Sequence, residues 1–298
     1  MSLPIVFLHK GNHKYLKTAI NRAKNCGNEV YLLGDASNCN FCENHVNMNA
    51  LHSADIDAFK KAYVHMSSNL KEFELLCMLR YFYLYELMKQ KNIPGIILVD
   101  SDCLVYKHYT DDDYTFCDCA FGWDFEAKPG YLCPSSCYWT QKALAHFTAY
   151  CLDLYTNHLD VLKEKWNNYK GSQGGISDLT LLHMWYLSNP PLNIYNLSDD
   201  KSTIFEFVPA KDHDKKHLYR YNEFTKLLTV KFVDNKPHFV RMDGSLQPVT
   251  NLHMHGGKKV YMKLFDRYKE NGISFYLMEF YRRLKWRIVK TIRRVRLK

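Results

Sequence analysis

With 298 residues, of which 47% are hydrophobic and 15% aromatic, the chain can bury a sizeable core, and this excludes an intrinsically disordered protein. The formal net charge of +9 comes from residues 282–298, which hold nine Lys and Arg and no acid, because the remaining 31 basic residues balance the 31 acidic ones. Such a distribution argues against a nucleic-acid-binding protein, whose basic residues normally cover a binding face.

The first half of the chain predicts an α/β protein with a mostly parallel, Rossmann-like central sheet flanked by helices. Apolar runs of strand length alternate with helical patterns, which is how a nucleotide-binding half-domain begins. The predicted elements are a strand over Pro4–His9, a helix over Tyr15–Asn25, a strand over Glu29–Leu33, a loop or short irregular elements over 36–55, a largely buried helix over Phe73–Lys91 and a strand over Gly95–Val99.

The second half is less regular. A polar, turn-rich stretch over residues 198–250 follows a helical region and is expected to cover or flank a cleft. The predicted strands cover Thr115–Trp123, Tyr131–Thr140, Ile204–Val208, Leu227–Val233 and His238–Met242, and the predicted helices cover Gln141–Tyr155, Leu159–Asn168 and Asp178–Leu187, the last with Ser177 as its N-cap.

Two acids follow the buried strand that ends at Val99. Asp100 and Asp102 are separated by Ser101, and alternating side chains would point the two acids the same way if the extended geometry persists. Two hard oxygen ligands at the carboxyl end of a strand suit Mg²⁺ or Mn²⁺ carrying a diphosphate. The alternative is a turn or a helix cap on a solvated surface, since D-x-D alone is a weak motif.

A second constellation lies in Asn251–Lys259. His253 could be a further metal ligand, Gly256 would let backbone N–H groups approach phosphate, and Lys258 and Lys259 could neutralise phosphate charge. A basic surface turn remains the alternative interpretation.

Asp178 enters its helix after the turn Gly174-Gly175-Ile176-Ser177, where a carboxylate can act on an acceptor hydroxyl or simply favour the first helical turn. Arg80 lies in an apolar helix, so its guanidinium needs an anionic partner, either a donor phosphate or a structural carboxylate. Asp35, after the second strand, could hydrogen-bond a ribose or base, or form an ordinary turn.

Ten cysteines in a chain of this length are expected to be reduced thiols. Cys39 and Cys42 have zinc-knuckle spacing, which Cys133 and Cys137 could complete, although a second C-x-x-C pair is missing from the sequence.

The C-terminal segment Ser274–Lys298 is predicted to form a basic amphipathic helix. An apolar stripe with a cationic face favours an anionic membrane surface. The alternatives are a helix docked on the domain with a solvated basic face, or an RNA-binding tail. The predicted stripe consists of Phe275, Leu277, Met278, Tyr281, Leu284, Ile288, Ile292 and Val295.

Together these residues resemble the GT-A glycosyltransferases, which bind a nucleotide sugar on a Rossmann-like sheet through a D-x-D motif and a divalent metal. The acids at 100–102 match that motif, and His253, Gly256 and Lys259 match the H-x-x-G-x-x-K spacing of the glycogenin and lipopolysaccharide galactosyltransferase family. Val260-Tyr261 stand where the family usually has Pro-Trp, so the stereochemical outcome stays open, with retention favoured.

The resemblance implies a GT-A domain over residues 1–273, and the amphipathic pattern adds a membrane-associating helix over 274–298. It implies a metal-dependent enzyme of surface polysaccharide synthesis, cytoplasmic and peripheral on the inner face of the membrane. The enzyme would use Mn²⁺ or Mg²⁺ to move a hexose or N-acetylhexosamine from a nucleotide sugar, with UDP favoured, to a lipid-linked saccharide. The expected metal ligands are Asp100, Asp102 and His253, the expected catalytic residue is Asp178, and the expected donor-binding residues are His9, Gly11, Asp35, Arg80, Asp100, Ser101, Gly256, Lys258 and Lys259.

Other functions remain open at this point. Nucleotidyltransferases and metal-dependent phosphohydrolases also use paired Asp residues, and a non-catalytic lipid- or nucleic-acid-binding protein could be built on a similar sheet.

Overall fold

The computed structural model describes residues 2–122, 132–169, 175–197, 204–207, 218–268, 270 and 272–296, with side chains except at 133–134, 204–207 and 289–296. The chain forms two compact units. The first comprises Met1–His13, Ala23–Ser101 and His108–Asp200, and the second comprises Lys14–Arg22, Asp102–Lys107 and Lys201–Lys298. Of the predicted elements, Trp123, Tyr131, Val208 and residues 297–298 lie outside the described residues, as does Gly174 of the predicted turn.

The strands are β1 (Ile5–Leu8), β2 (Val30–Gly34), β3 (Asn44–Asn47), β4 (Gly95–Val99), β5 (Cys103–Val105), β6 (Cys119–Gly122), β7 (Cys133–Thr140), β8 (Ile194–Asn196), β9 (Ile204–Phe207), β10 (Tyr221–Asn222), β11 (Leu227–Leu228), β12 (Val230–Val233), β13 (Lys236–Val240) and β14 (Leu246–His253). The α-helices are α1 (Lys14–Asn25), α2 (Ala54–Ala62), α3 (Lys71–Lys91), α4 (Gln141–Thr156), α5 (Leu159–Asn168), α6 (Asp178–Leu187), α7 (Met262–Asp266) and α8 (Ile273–Arg296).

A mostly parallel sheet organises the first unit. Its strand order is β3-β2-β1-β4-β7-β6-β8, with β7 antiparallel to both neighbours and the remaining pairs parallel. β4 is buried along its whole length, as expected for a strand covered on both faces. The predicted α/β architecture with a mostly parallel central sheet flanked by helices is confirmed.

The core of the first unit lies between its sheet and its helices. Trp139 of β7 packs against Trp185 of α6 and Phe147 of α4, with ring centroids 5.8 and 5.6 Å apart, and Tyr81 of α3 completes the group. α3 is apolar on most sides, and most of its residues from Met78 to Met88 are buried, whereas its two ends are exposed. Fully burying each large side chain stabilises the fold by roughly 1.5–3 kcal/mol.

The second unit is built on antiparallel pairing. Its five-stranded sheet follows the order β12-β13-β14-β5, and β9 adds a parallel pair to β14. α8 begins by docking on this unit, because Phe275 is fully buried with its ring 5.5 Å from that of Tyr261 and 4.7 Å from that of Phe265.

The structure corrects several expectations. Phe275 does not belong to the exposed apolar stripe predicted for the tail, because it packs inward while Leu277 and Leu284 are exposed. Leu227–Val233 is not one strand, since β11 ends at Leu228 and pairs with β10 while β12 pairs with β13. Within the described residues, every helix is too short or too polar to cross a bilayer.

Candidate functional site

The second unit brings the later acid of the D-x-D motif to the predicted histidine. β5 begins directly after Asp102 and runs antiparallel to β14, whose register places His253 opposite Cys103. The backbone N–H of Met254 donates to the carbonyl of Asp102 at 2.9 Å, which extends the pairing to the acid itself. As a result, His253 Nε2 lies 3.1 Å from Asp102 Oδ1 although 151 positions separate the two residues.

Lys259 completes this group. Its Nζ lies 3.0 Å from the second carboxylate oxygen of Asp102 and 4.7 Å from the ring centroid of Tyr15. Burial by itself would raise the pKa of Asp102, but the hydrogen bond and charge of His253 and the ammonium of Lys259 outweigh it and hold that pKa well below its ordinary value. The pKa of Lys259 is raised: burial acts against the charged form, and the attraction of Asp102 overcomes it.

These residues offer ligand atoms of the kind a divalent cation needs. Asp102, His253 and the buried Cys103 each present one such atom, and the three atoms lie within 4.8 Å of one another. Carboxylate oxygen and imidazole nitrogen fit Mn²⁺, whereas adding the thiol sulfur would shift the preference towards Zn²⁺. Sequence analysis did not select Cys103. Its position directly after the D-x-D was the available signal.

The first unit holds the earlier acid in a different network. Arg80 Nη1 lies 3.0 Å from Asp100 Oδ1, and Arg80 Nη2 lies 2.5 Å from Asp178 Oδ2, which also accepts a bond from Tyr81 Oη at 3.4 Å. Burial would lower the pKa of Arg80, but Asp178 and Asp100 raise it well above its ordinary value. Two carboxylates are therefore the anionic partners of this guanidinium, and Nη2 also donates to the Tyr81 hydroxyl at 2.9 Å. Asp178 begins α6 after Ser177, its predicted N-cap.

The candidates that follow β1 and β2 also come together within the first unit. Asp35 Oδ2 accepts from the backbone N–H of Gly11 at 2.8 Å, and its other oxygen accepts from the backbone N–H of Ser37 at 2.8 Å. Burial would raise the pKa of Asp35, but the bonds from Ser37 and Gly11 lower it. His9 Nδ1 lies 2.9 Å from Ser101 Oγ, so Ser101 faces the end of β1.

The two neighbouring lysines have different partners. Lys258 donates to the carbonyl of Thr225 and lies 3.2 Å from Glu279 Oε2, while Lys259 is paired with Asp102. Burial lowers the pKa of Lys258 despite the attraction of Glu279. Gly256, at φ +60°, begins the 3₁₀ turn Gly256–Tyr261 that carries both lysines, in a backbone region that favours glycine.

The cysteine pair predicted as a possible zinc knuckle has local partners instead. Cys39 Sγ donates to Asn40 Oδ1 at 2.7 Å, and the buried Cys42 Sγ donates to the carbonyl of Val30 at 3.1 Å. Among the described side chains, Cys39 and Cys42 do not belong to a group of three or more candidate metal ligands.

No protein-family model and no curated protein matches the sequence. Among solved structures, the chain is similar to the apo form of mouse xyloside xylosyltransferase 1, with 12% identity and a TM-score of 0.48 over 72% of this chain and 91% of that chain. It is also similar to a glycosyltransferase involved in the glycosylation of the major capsid of PBCV-1, with 11% identity and a TM-score of 0.45 over 89% of this chain and 100% of that chain. With both TM-scores below 0.5, neither likeness assigns an activity to this chain.

Proposed function

We propose that this chain is a metal-dependent glycosyltransferase that moves a hexose or N-acetylhexosamine from a nucleotide-diphosphate sugar, UDP-linked, to a hydroxyl of a lipid-linked saccharide. The observation that carries the proposal is the meeting of Asp102, His253 and Lys259 in the second unit. These are the residue types that the resemblance to the glycogenin and lipopolysaccharide galactosyltransferase family implies, and they come from two distant segments of the chain. Surface polysaccharide synthesis is the process we propose for it.

Asp102 and His253 would hold Mn²⁺ or Mg²⁺, together with Asp100 as the motif implies. The cation would stabilise negative charge on the departing diphosphate. Lys259 and the backbone of Gly256 would bind the phosphates, because an ammonium and a glycine backbone that phosphate can approach closely both favour negative charge. His9, Gly11 and Asp35 remain proposals for the nucleoside end of the donor.

Asp178 is our proposal for the acceptor side. Its Oδ2 already accepts from Arg80 and Tyr81, which fixes the carboxylate in one orientation. A carboxylate committed in this way is suited to orient an acceptor hydroxyl or to stabilise developing positive charge, which is the role it would have in a retaining transfer.

Donor binding tests the proposal directly. The melting temperature of the purified chain would be measured with UDP, GDP or CMP, each with and without Mn²⁺. We expect UDP to raise the melting temperature only when Mn²⁺ is present. Asp102→Asn is expected to abolish this shift, and the exposed Asp112→Asn serves as a control with the same chemical change. An equal shift without Mn²⁺, or in Asp102→Asn, would contradict the proposed site.

Product analysis separates the remaining enzyme classes. Incubation with a UDP-sugar should release UDP if the bond to the sugar is broken. Release of UMP with a sugar phosphate would instead indicate a phosphohydrolase acting on the diphosphate, and would overturn the assignment.

We also propose that α8 binds the anionic inner face of the membrane, where a lipid-linked acceptor is found. Ile273, Leu277, Phe280 and Leu284 are 78, 65, 62 and 46% exposed, and their spacing puts them on one helix face. An apolar groove of about 400 Å³ adjoins this face and is lined by Phe224, Ile273, Tyr276, Leu277 and Phe280. Residues 282–298 hold nine cations, of which Arg282 and Arg283 pair with Glu279. They supply the matching charge, at about 1 kcal/mol for each cation that lies near the surface.

Vesicle sedimentation tests this surface. The chain should bind vesicles of phosphatidylcholine with phosphatidylglycerol, bind pure phosphatidylcholine weakly, and lose binding in Phe280→Ser/Leu284→Ser. Val161→Ser removes an exposed apolar side chain of α5 and is the control. Unchanged vesicle binding by the double variant, or a preference for RNA over anionic vesicles, would refute membrane docking.

A further inference from the structure

Glu279 is the single acid in the sequence of α8, and it is fully buried. Carboxylates are rarely buried completely unless they are paired. Here Oε1 accepts from Arg282 Nη2 at 2.6 Å and from Arg283 Nε at 2.9 Å, and Oε2 accepts from Tyr261 Oη at 2.6 Å and from Arg282 Nε at 2.9 Å. Lys258 Nζ lies 3.2 Å from the same Oε2. The carboxylate is therefore saturated by donors.

Two of these donors come from the turn that carries Lys259. Lys258 precedes Lys259 directly, and Tyr261 follows two positions later, so Glu279 holds the 3₁₀ turn on both sides of the lysine that pairs with Asp102. Lys258 is also tied to the carbonyl of Thr225. The backbone around Lys259 is consequently fixed by side-chain bonds from a helix that begins 14 residues later in the sequence.

We propose that Glu279 is a positioning residue for Lys259. By holding Lys258 and Tyr261, it keeps the turn in the conformation that presents the Lys259 ammonium beside Asp102. The two lysines then have different roles: Lys258 holds the turn in place, and Lys259 binds the donor phosphates. This inference rests on the proposed function for the phosphate role of Lys259, whereas the bracing of the turn stands on the contacts alone.

Simple helix docking would not require this arrangement. Phe275 already anchors α8 through aromatic contacts with Tyr261 and Phe265, and an apolar side chain at position 279 would have extended that packing. An acid that accepts hydrogen bonds from the turn fixes the orientation of the turn as well as its distance from the helix, which apolar packing would not do.

Two measurements on the full chain test the proposal. Hydrogen exchange would report the backbone amides of residues 256–261, and calorimetry would report the Kd for UDP in the presence of Mn²⁺. The variants are Glu279→Gln and the milder Tyr261→Phe, which removes one donor to Glu279 and keeps the packing. Glu164→Gln, the same change at an exposed acid of α5, is the matched control.

We expect Glu279→Gln to speed exchange in 256–261 and to weaken UDP binding by about tenfold, by analogy with the loss seen when the hydrogen-bonding partner of a metal ligand is removed. Tyr261→Phe should move both readouts in the same direction by less, and Glu164→Gln should move neither. If Glu279→Gln speeds exchange only within α8 and leaves the turn and UDP binding unchanged, Glu279 merely anchors the helix and the proposal is wrong.

Lys258→Gln separates bracing from direct phosphate binding. A brace predicts faster exchange in the turn together with weaker UDP binding. Weaker UDP binding with unchanged exchange would mean that Lys258 contacts phosphate itself, which overturns the division between the two lysines. If the wild-type chain binds no nucleotide, the proposed function fails, and the exchange data still decide whether Glu279 braces the turn.

Discussion

Arg80 allows a specific stability prediction, because it pairs with two carboxylates that differ in their exposure to solvent. The side chain of Asp178 is 8% exposed, that of Asp100 is 33% exposed, and that of Arg80 is 10% exposed. Replacing Arg80 by Met keeps a similar length and removes the charge. Asp178 is then left buried without its guanidinium, a situation that costs about 3–5 kcal/mol when a buried pair is broken.

The two partners should not contribute equally. For the buried pair with Asp178 we expect a coupling energy of about 2–3 kcal/mol in a double-mutant cycle. For the pair with the one-third exposed Asp100, solvent screening reduces the expected coupling to about 0.5–1 kcal/mol. The cycles use Arg80→Met with Asp178→Asn and Arg80→Met with Asp100→Asn.

Urea unfolding provides the measurement. Trp139 and Trp185 are fully buried in the first unit, so their fluorescence reports on the unit that contains the ion pairs. A cost below about 1 kcal/mol for Arg80→Met, or equal coupling to both acids, would refute the reasoning. A stabilising effect of Arg80→Met would indicate that the guanidinium is kept for an anionic ligand at the expense of stability, as functional residues often are.

Three further predictions concern the second unit. Burial would raise the pKa of Glu279, but the bonds from Arg282 and Tyr261 outweigh it and hold that pKa well below its ordinary value of 4.5. The ionised Glu279 therefore contributes its full stabilisation above pH 4.5, and this stabilisation is lost as the pH falls below 4.5. The stability difference between wild type and Glu279→Gln should therefore shrink from pH 6 towards pH 3, and a constant difference would contradict this. Lys259→Gln should strengthen Mn²⁺ binding in the absence of nucleotide, because a competing cation is removed from Asp102, and it should weaken UDP binding. Calorimetry would measure the affinity for each ligand. A loss of both affinities would contradict competition between Lys259 and Mn²⁺ for Asp102. Cys103→Ser should leave Mn²⁺ binding within about threefold of wild type if oxygen and nitrogen atoms hold the ion, whereas a much larger loss, or a strong preference for Zn²⁺ in the wild-type chain, would indicate that the thiol is a ligand.

Much of the first unit could be predicted from the sequence because its elements carry their own local signals. The bounds of β4, α5 and α6 agree with the predicted ones, since each has a clear apolar pattern ended by a break. α2 was not predicted, because it begins at the end of residues 36–55, which were interpreted as a loop or short irregular elements. Ser53 nevertheless caps it by accepting from the backbone N–H of Ile56. Nine-residue helices bury few side chains, so their periodicity is weak.

β14 was missed for a different physical reason. Its burial alternates at Gln247, Val249 and Asn251 as in any half-buried strand, but two of these three inward positions are polar. A hydropathy pattern cannot reveal alternation that is carried by buried amides, whose partners are supplied only by the folded structure. The strand that carries His253 could therefore be recognised through its motif and not through its periodicity.

The directions of the two acids in the D-x-D motif could not be predicted from the local sequence. The expectation that Asp100 and Asp102 point the same way assumed an extended strand, but β4 ends at Val99 and β5 begins at Cys103, so the alternation rule does not apply to the acids. Each acid has its own network. Asp100 shares Arg80 with Asp178, whereas Asp102 lies beside Lys259 and His253. A cation that binds Asp102 must therefore compete with Lys259, and the ammonium it displaces is the group that the proposed mechanism needs at the diphosphate.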